Sequence, residues 1–204
     1  MKQNTLFPDS FPKGKVAYFV TSNIHKFQEA RYILSEYKLA TAKLSIEAVE
    51  IQDDSLENIA KFSARDAIKN CGLPVFVEDA GLFVKALGDF PGPYSKYVYN
   101  TIGLKGVLKL MKNIDNRNAH FMSVVAFGSP DEQTTCFIGK VKGKLSLEER
   151  GISSFGYDPI FIPSDCDDRT FAEMKLTEKN RLSHRGKALR KFALWYSAVN
   201  KRRF

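Results

Sequence analysis

The sequence predicts an α/β fold in which helices flank a sheet that is at least partly parallel. The first observation is the element order, because strand-like and helix-like patterns alternate as β-α-β-α-β over the first half of the chain. The second is a pair of strand-like runs, 120–127 and 135–141, around Gly128-Ser129-Pro130-Asp131, which predicts an antiparallel pair. The third is the length of 204 residues, which allows a substantial hydrophobic core.

The first strand and the first helix are predicted by one continuous stretch. Val16 to Val20 is a compact apolar run of strand length. Thr21-Ser22-Asn23 follows it, and these residue types favour a helix N-terminus because their side chains accept hydrogen bonds from free backbone N–H groups. Apolar residues then recur at helical spacing as far as Tyr37. The loosely alternating stretch from Leu39 to Val49 predicts the second strand.

The middle of the chain completes the alternation. Asp53-Asp54-Ser55 predicts the start of a second helix that extends to about Asn70, and Val75-Phe76-Val77 predicts the third strand. Pro91-Gly92-Pro93 marks a rigid loop, and the residues from Gly103 to Met111 predict a short helix. Two further elements complete the series: a short strand, Pro159 to Ile162, and a terminal helix, Ser183 to Ala198.

The composition is that of a globular protein, with 44% hydrophobic and 26% charged residues. No apolar run approaches the roughly 18 residues of a membrane span, and the first residues lack the apolar core of a signal peptide. Cys71, Cys136 and Cys166 show no paired spacing, which argues against a disulfide framework or a zinc site. We therefore predict a cytoplasmic protein. The net charge of +8 favours an anionic partner without choosing among nucleotide, nucleic acid and membrane surface.

An acidic pair, Glu78-Asp79, directly follows the third predicted strand. The end of a strand places these charges at the rim of the sheet, where α/β proteins bind ligands. Adjacent carboxylates repel each other unless a cation, a proton or a basic ligand lies close by. The chain has only three histidines, so the pattern favours oxygen ligands and a hard ion such as Mg²⁺. A solvated turn after an edge strand is the alternative interpretation.

Two predicted helix N-termini carry cations. At Thr21 to Lys26, free backbone N–H groups and the helix dipole meet a lysine one turn into the helix, which suits a phosphate. The alternative is an ordinary cap beside a surface lysine. At Ser183-His184-Arg185, positive charge opposes the dipole, so these residues need an anion or an acceptor. The alternative there is a surface arginine with a half-buried histidine.

The segment Phe155-Gly156-Tyr157-Asp158 has the residue types that a base pocket needs. Its aromatic rings offer stacking faces, Gly156 allows close backbone approach, and Asp158 can accept from a ring N–H. By itself it is also an ordinary turn. A second glycine-containing stretch, Gly139 to Leu145, superficially resembles a P-loop but is one residue short and lacks the Ser or Thr that would hold magnesium. We interpret it as a basic hairpin.

Five motifs occur in series along the chain: Thr21-Ser22-Asn23-x-x-Lys26, Glu78-Asp79-Ala80-Gly81-Leu82, Pro91-Gly92-Pro93-Tyr94-Ser95-Lys96-Tyr97, Phe155-Gly156-Tyr157-Asp158-Pro159 and Ser183-His184-Arg185. Their order and spacing resemble those of the inosine triphosphate pyrophosphatases, enzymes that remove non-standard purine nucleotides. The resemblance extends from about Lys15 to Tyr196. It implies one nucleoside triphosphate pyrophosphatase domain over residues 15–204, while residues 1–14 have no counterpart and are predicted to be a disordered N-terminal extension.

The resemblance also implies a structure and a reaction. The expected structure is an elongated α/β fold with a mixed, twisted sheet, flanking helices and two lobes around an active-site cleft, usually as a homodimer. The expected reaction is the hydrolysis of ITP, dITP or XTP to the monophosphate and pyrophosphate with Mg²⁺. The predicted partners are thus the nucleoside triphosphate and a second copy of the chain, with neither nucleic acid nor membrane.

The resemblance assigns roles residue by residue. Asp79 is implied as the catalytic residue, which binds magnesium and accepts the proton of the attacking water. Glu50 is implied as the second metal ligand, with Glu78 as the alternative. Ala80 stands where many members have Ser or Thr, so a hydroxyl contact is lost, and Ser22 stands where Gly is frequent. The implied substrate-binding residues are Thr21, Ser22, Asn23, Ile24, His25, Lys26, Lys61, Ala80, Lys96, Phe155, Gly156, Tyr157, Asp158, Lys179, His184 and Arg185.

Two other classes fit parts of the sequence. A basic nucleic-acid-binding module would explain the net charge, but it would not need Glu78-Asp79, and its oligonucleotide affinity would depend strongly on salt. A septum-formation-type nucleotide pyrophosphatase is the nearer alternative. That group has a Ser-rich, Arg-rich loop after the first strand, which Thr21 to Lys26 does not match.

Overall fold

The computed structural model describes residues 16–46, 49, 51–130, 132–152 and 155–201. For residues 200 and 201 it describes the backbone alone. The predicted N-terminal extension, residues 1–14, and the predicted metal ligand Glu50 lie outside the described residues.

A seven-stranded mixed sheet forms the centre of the fold and confirms the predicted α/β class. The strand order is β2-β1-β3-β5-β6-β7, with β4 paired to β3. Strand β1 is parallel to β2 and β3, and every other pairing is antiparallel. The strands are β1 (Val16–Val20), β2 (Ala40–Leu44), β3 (Val75–Val84), β4 (Pro91–Gly92), β5 (Asn118–Ser129), β6 (Glu132–Leu145) and β7 (Phe161–Pro163).

Six helices are described: α1 (Ile24–Ser35), α2 (Leu56–Cys71), α3 (Ser95–Thr101), α4 (Gly103–Leu110), α5 (Leu176–Leu182) and α6 (His184–Lys201). The sequence patterns predicted α1, α2, α4 and α6. They did not predict α3 and α5, because helices of 7 residues are too short to show a helical hydrophobic period. Strand β2 ends earlier than predicted, since its register with β1 ends at the pair Val20 and Leu44.

The sequence pattern predicted that strand β3 ends before the acidic pair, and this prediction is wrong. The strand continues to Val84 because β5 pairs with it antiparallel from Val75 through to Val84. Its parallel pairing with β1 covers only Val75 and Phe76. Glu78 and Asp79 therefore lie inside β3 but just beyond the carboxyl end of β1, so they still occupy the ligand-binding edge of the parallel part of the sheet.

The stretch from Gly139 to Leu145 lies within β6 and is not the predicted hairpin. Its glycines serve packing. A Cβ atom at Gly139 would lie 2.0 Å from the carbonyl oxygen of His184, and one at Gly143 would lie 2.2 Å from that of Ile162. The absence of side chains at these two positions allows α6 and β7 to approach the strand closely.

The core lies on both faces of the sheet. On one face, α1 and α6 pack on β1, β3 and β5, with Ala188, Leu189, Phe192 and Ala193 buried as predicted. On the other face, α2 packs on β3 and β5. A further cluster joins the ends of β5, β6 and β7 to α3 and α4. In the described part of the chain, no helix combines the length and the hydrophobicity of a bilayer span.

Candidate active site

A cleft of about 1140 Å³ lies where α1, β3, α3 and α6 meet the loop that contains Phe155. Residues of all five sequence motifs contribute to its wall, together with residues of α2, Phe121 and the stretch around Ile46. Of the predicted site residues, the structure brings together in this wall Thr21, Ser22, Asn23, His25, Lys26, Asp79, Ala80, Lys96, Phe155, Gly156, Tyr157, Asp158, His184 and Arg185.

Three predicted substrate-binding residues lie outside this wall. Ile24 does not line the cleft and is 50% exposed. Lys61 lies on α2, where its ammonium is 3.9 Å from the carboxylate of Glu57. Lys179 is buried behind Asp158, to which its ammonium group donates a hydrogen bond. Lys179 therefore supports the wall in this structure without forming its surface.

The N-terminus of α1 is capped by its own sequence. The Asn23 side chain accepts hydrogen bonds from the backbone N–H groups of His25 (3.0 Å) and Lys26 (3.1 Å). Thr21 Oγ1 accepts from the N–H of Asn23 at 3.1 Å, which fixes the turn after β1. Two N–H groups that we expected to be free for phosphate are thus used by the cap. The side chain of Lys26, in contrast, turns into the cleft instead of lying on the surface.

Four buried charges form a network between α1, α5 and α6. Glu29 accepts hydrogen bonds from Lys179 and Arg185, through different carboxylate oxygens. Lys179 also donates to Asp158. Burial alone would raise the pKa of Glu29, but the charges of Arg185 and Lys179 lower it to about 2. The network balances charges that would be costly to bury singly.

Glu78 joins this network from the sheet. Its carboxylate lies 3.0 Å from Lys26 Nζ and 3.1 Å from Arg185 Nε, and it accepts a hydrogen bond of 2.6 Å from Ser123 Oγ. Glu78 Oε2 and Arg185 Nε have no hydrogen-bond partner of good geometry, so the contacts of Glu78 with Lys26 and with Arg185 Nε are ion pairs and not hydrogen bonds. Burial opposes ionisation of Glu78, but Arg185 and Lys26 hold its pKa well below the ordinary value. The carboxylate is therefore charged.

The side chains of Glu78 and Asp79 lie on opposite faces of β3, because successive side chains of a strand alternate between the two faces of the sheet. Phe76, two residues before Glu78, packs in the cluster with α1 and α6. Val77, two residues before Asp79, packs in the cluster with α2. The two acids are thus separated by the strand itself, and Asp79 is half-buried in the cleft.

The segment predicted to hold a base uses its two aromatic residues differently. The Phe155 ring lies over Lys179 Nζ (5.1 Å) and the Arg185 guanidinium carbon (5.5 Å), and its centroid is 5.1 Å from that of His25. Tyr157 is buried, and its hydroxyl donates to the carbonyl oxygen of Ser95 at 2.8 Å. The ring of Phe155 is therefore only partly buried at the cleft, whereas Tyr157 anchors the segment to α3.

The first turn of α6 satisfies its cations internally. Ser183 Oγ accepts from the N–H of Gly186 at 3.1 Å, as expected of a cap. The positive charge of Arg185 is balanced by Glu29 and Glu78, so the acceptor that the sequence required is a pair of protein carboxylates. His184 stacks on Phe121 with centroids 4.4 Å apart. Burial, together with Arg185, lowers the pKa of His184 well below its usual value, so its imidazole is neutral at neutral pH.

Sequence reasoning missed two residues of this site. Glu29 binds both Lys179 and Arg185, and Ser123 donates to Glu78. A signal for Glu29 exists, since it lies next to Ala30 on the buried face of α1, where an unpaired carboxylate would be costly. Ser123 lies between Met122 and Val124 in β5 and has no comparable local signal.

A magnesium ion in this cleft would need oxygens of the substrate among its ligands. Among the described residues, no group of three or more carboxylate, histidine or cysteine side chains could hold a metal. Mg²⁺ is usually bound through one or two carboxylates together with substrate phosphates and water. Asp79 lies in the cleft and Glu50 lies outside the described residues. This chemistry fits a metal that is completed by the oxygens of a bound triphosphate.

Residues 17–195, which include every segment of the cleft wall, match the model of the Ham1 family. The chain belongs to the Ham1 family. It is 48% identical over 178 residues to the dITP/XTP pyrophosphatase of Methanopyrus kandleri, covering 87% of this chain and 94% of that one. It is 50% identical over 177 residues to the enzyme of the same name from Thermococcus kodakarensis, covering 87% and 95%.

Solved Ham1 structures have the same fold. The HAM1 protein from Coxiella burnetii superposes with a TM-score of 0.79 at 29% identity, over 90% of this chain and 99% of that chain. The Staphylococcus aureus Ham1 protein gives 0.78 at 25% identity, over 91% and 100%. The resemblance drawn from the five motifs is thus confirmed. In this Ham1 protein the motifs are distant in sequence but form one cleft.

Proposed function

We propose that the protein hydrolyses the non-standard purine triphosphates ITP, dITP and XTP to the monophosphate and pyrophosphate. The observation that carries this proposal is that one cleft contains two chemically different sets of side chains. Lys26 and Asp79 lie in the same cleft as Phe155, Asp158 and Arg185, so one ligand with both a charged phosphate chain and a planar base would contact both sets. The names of the relatives, dITP/XTP pyrophosphatase, support the same activity.

The phosphate end is built around Lys26. Its ammonium donates to the carbonyl oxygen of Glu78 at 2.8 Å, and an ammonium has three N–H donors, so donors remain for a phosphate oxygen. Lys96 lies exposed in the same cleft. Positive charge at these positions would stabilise the negative charge that develops on the departing pyrophosphate.

Asp79 supplies the chemistry at the centre. It would accept a proton from the attacking water, whose oxygen forms a bond to the α-phosphorus while the bond from that phosphorus to the bridging oxygen breaks. Asp79 and Glu50 would hold Mg²⁺, which offsets charge on the phosphate oxygens when it is bound. Water and triphosphate thus give monophosphate and pyrophosphate without a covalent intermediate on the protein.

Base selection rests on Arg185 and Asp158. Arg185 meets Glu29 through Nη1 and Glu78 through Nε, and a guanidinium has five N–H donors, so another of them can donate to O6 of hypoxanthine or xanthine. Asp158 uses Oδ2 for Lys179, so its other oxygen can accept from the ring N1–H. A neutral His184 can either donate or accept a hydrogen bond, so it does not select an O6 acceptor over an amine donor as a charged imidazole would. Adenine offers an amine instead of O6 and lacks the N1 proton.

A pyrophosphate-release screen over ITP, XTP, dITP and the four standard triphosphates tests the function. Two mismatches of buried polar groups predict a preference for ITP over ATP of about 100-fold or more in kcat/KM. Similar rates with all seven nucleotides would refute the proposed substrate class.

Arg185→Lys tests the base contact. Lysine keeps the charge that Glu29 and Glu78 require but lacks the planar fork that reaches a second acceptor. We expect kcat/KM for ITP to fall at least about tenfold, with a smaller change for ATP, so that the ratio narrows. Equal losses for ITP and ATP would show that Arg185 does not contact the base.

Lys26→Ala tests the phosphate end. We expect it to raise the KM for ITP by about tenfold or more, because a charged donor to phosphate is lost. The melting temperature should change little by comparison, since Arg185 and Ser123 still hold Glu78. Lys109→Ala, on α4 outside the cleft wall, removes the same charge and is the control. Equal KM values for the two variants would show that Lys26 does not contact the phosphate chain.

Three finer features complete the proposal. The protein would act in the cytoplasm as a homodimer, with residues 15–204 as one catalytic domain. Nucleic acid and membrane would not be partners, because the cleft accounts for an anionic ligand of nucleotide size. A septum-formation-type activity is not favoured, since the matching family and the named relatives are those of the Ham1 group.

A further inference from the structure

A buried carboxylate connects the two ends of the cleft. The Glu78 side chain has no exposed surface, and its oxygens lie at ion-pair distance from Lys26 at the phosphate end and Arg185 at the base end. The backbone carbonyl of Glu78 also accepts from Lys26, and Ser123 donates to the carboxylate. These contacts join α1, β3, β5 and α6 at a single side chain.

We propose that Glu78 is a positioning residue, which holds Lys26 and Arg185 in the orientations that bind phosphate and base, and that it does not bind the metal. The proposal rests on the proposed function only for what the two cations bind. The roles of Asp79 in catalysis and of Arg185 in base selection do not depend on it.

Each cation needs an external constraint for this purpose. Lysine has a long flexible side chain, so a fixed ammonium position requires acceptors, and Glu78 supplies both a carbonyl and a carboxylate within 3.0 Å. The guanidinium of Arg185 meets Glu29 at Nη1 and Glu78 at Nε. Two carboxylates that contact different nitrogens restrict the orientation of the guanidinium plane. A group held in this way loses little freedom when substrate binds.

The surroundings of Glu78 do not suit a metal. Both carboxylate oxygens already face groups that carry positive charge or donate a hydrogen bond. A divalent cation at this carboxylate would lie beside Lys26 and Arg185 and would be repelled by both. The side chain also faces the opposite side of β3 from Asp79. Glu78 and Asp79 thus have separate roles despite being neighbours in sequence.

Glu78→Gln tests the role, with Glu29→Gln as the matched comparison. Both variants remove one buried negative charge beside Arg185, but only Glu78 also contacts Lys26. Calorimetric titrations of the whole protein with IMP and, separately, with pyrophosphate report the two ends of the cleft. We expect Glu78→Gln to weaken both ligands by about tenfold and Glu29→Gln to weaken IMP alone. If Glu78→Gln binds both ligands as the wild type does, the proposal is wrong.

A magnesium titration of ITP hydrolysis separates positioning from metal binding. If Glu78 only positions the two cations, Glu78→Gln and the wild type should reach half of their maximal rates at the same Mg²⁺ concentration. Restoration of the wild-type rate by excess Mg²⁺ would instead assign Glu78 to the metal and overturn the proposal. Ser123→Ala, which frees Glu78 from its hydroxyl partner without removing charge, should weaken both ligands in the same pattern but less, and it serves if Glu78→Gln does not fold.

A crystal structure of Glu78→Gln gives a result that needs no substrate. Displaced Lys26 and Arg185 side chains would support the proposal, and unmoved ones would overturn it. Failure of the wild type to hydrolyse ITP would refute the proposed function and leave this structural result standing, so the two failures are distinguishable.

Discussion

Asp79→Asn is expected to lower kcat for ITP hydrolysis by about 100-fold or more while the protein remains folded. Asparagine is nearly the same size as aspartate, but its amide neither accepts a proton from water nor carries the charge that attracts a metal. Asp79 lies half-buried in the cleft, so the change should have little effect on packing. Initial rates of pyrophosphate release and a thermal unfolding curve measure the two expectations.

The control for Asp79→Asn is Asp115→Asn, an identical change at an exposed residue after α4 and outside the cleft wall. It should leave both kcat and the melting temperature unchanged. Near-normal turnover of a folded Asp79→Asn protein would remove Asp79 from the mechanism, and the proton would then need another acceptor in the cleft.

Glu29→Gln is expected to destabilise the folded protein by about 3 kcal/mol at neutral pH. The carboxylate has a pKa of about 2 in the folded protein against an ordinary value of 4.5, and each pKa unit corresponds to about 1.4 kcal/mol. Breaking a buried pair while leaving its partners in place has a cost of similar size. For a chain of this length the melting temperature should fall by roughly 6–12 °C.

The pH dependence of this effect has a definite sign. A carboxylate whose pKa is lowered by folding contributes its full stability above the unfolded value of 4.5 and loses it as the pH falls toward about 2. Urea unfolding should therefore show a constant difference between wild type and Glu29→Gln from pH 7 to 5 and a shrinking one below that. Glu36→Gln, at a partly exposed ion pair with Arg190, is the control and should cost less than about 1 kcal/mol. A difference independent of pH would show that Glu29 stabilises the fold by packing alone.

The sequence predicts the features of this fold that depend on local patterns. The β-α-β-α-β order, the caps at Asn23 and Ser55, and the apolar face of α6 are all encoded within single segments, and the structure confirms them. The five motifs also converge on one cleft. Each motif depends on residues close together in sequence, so one chain suffices to recognise it.

The features that the sequence does not predict are those that depend on residues far apart in the chain. The length of β3 is set by β5, which lies more than thirty residues further along the chain, so the strand-like run before Glu78 could not show where the strand ends. Glu29 and Lys179 are 150 residues apart, and neither carries a local sign of the other. The interpretation of Ser183 to Arg185 had the correct physical basis, since the cations do need acceptors. The acceptors are carboxylates from α1 and β3, which no spacing rule identifies.

The ion pairs at the end of the cleft where we propose that the base binds also bear on when activity can appear during folding. Lys179 and Arg185 meet Glu29 across 150 and 156 residues, so we expect these contacts to form late, because they require the closure of long loops. Until α6 docks on β5 and β6, Glu29 and Glu78 keep their hydration and the aromatic faces of Phe76, Phe127 and Phe137 lack their partner Phe192. Partly folded chains would therefore combine exposed aromatic surface with an incomplete form of the proposed base pocket. We consequently expect nucleotide discrimination to require the completed fold, and the activity regained during refolding to follow the docking of α6.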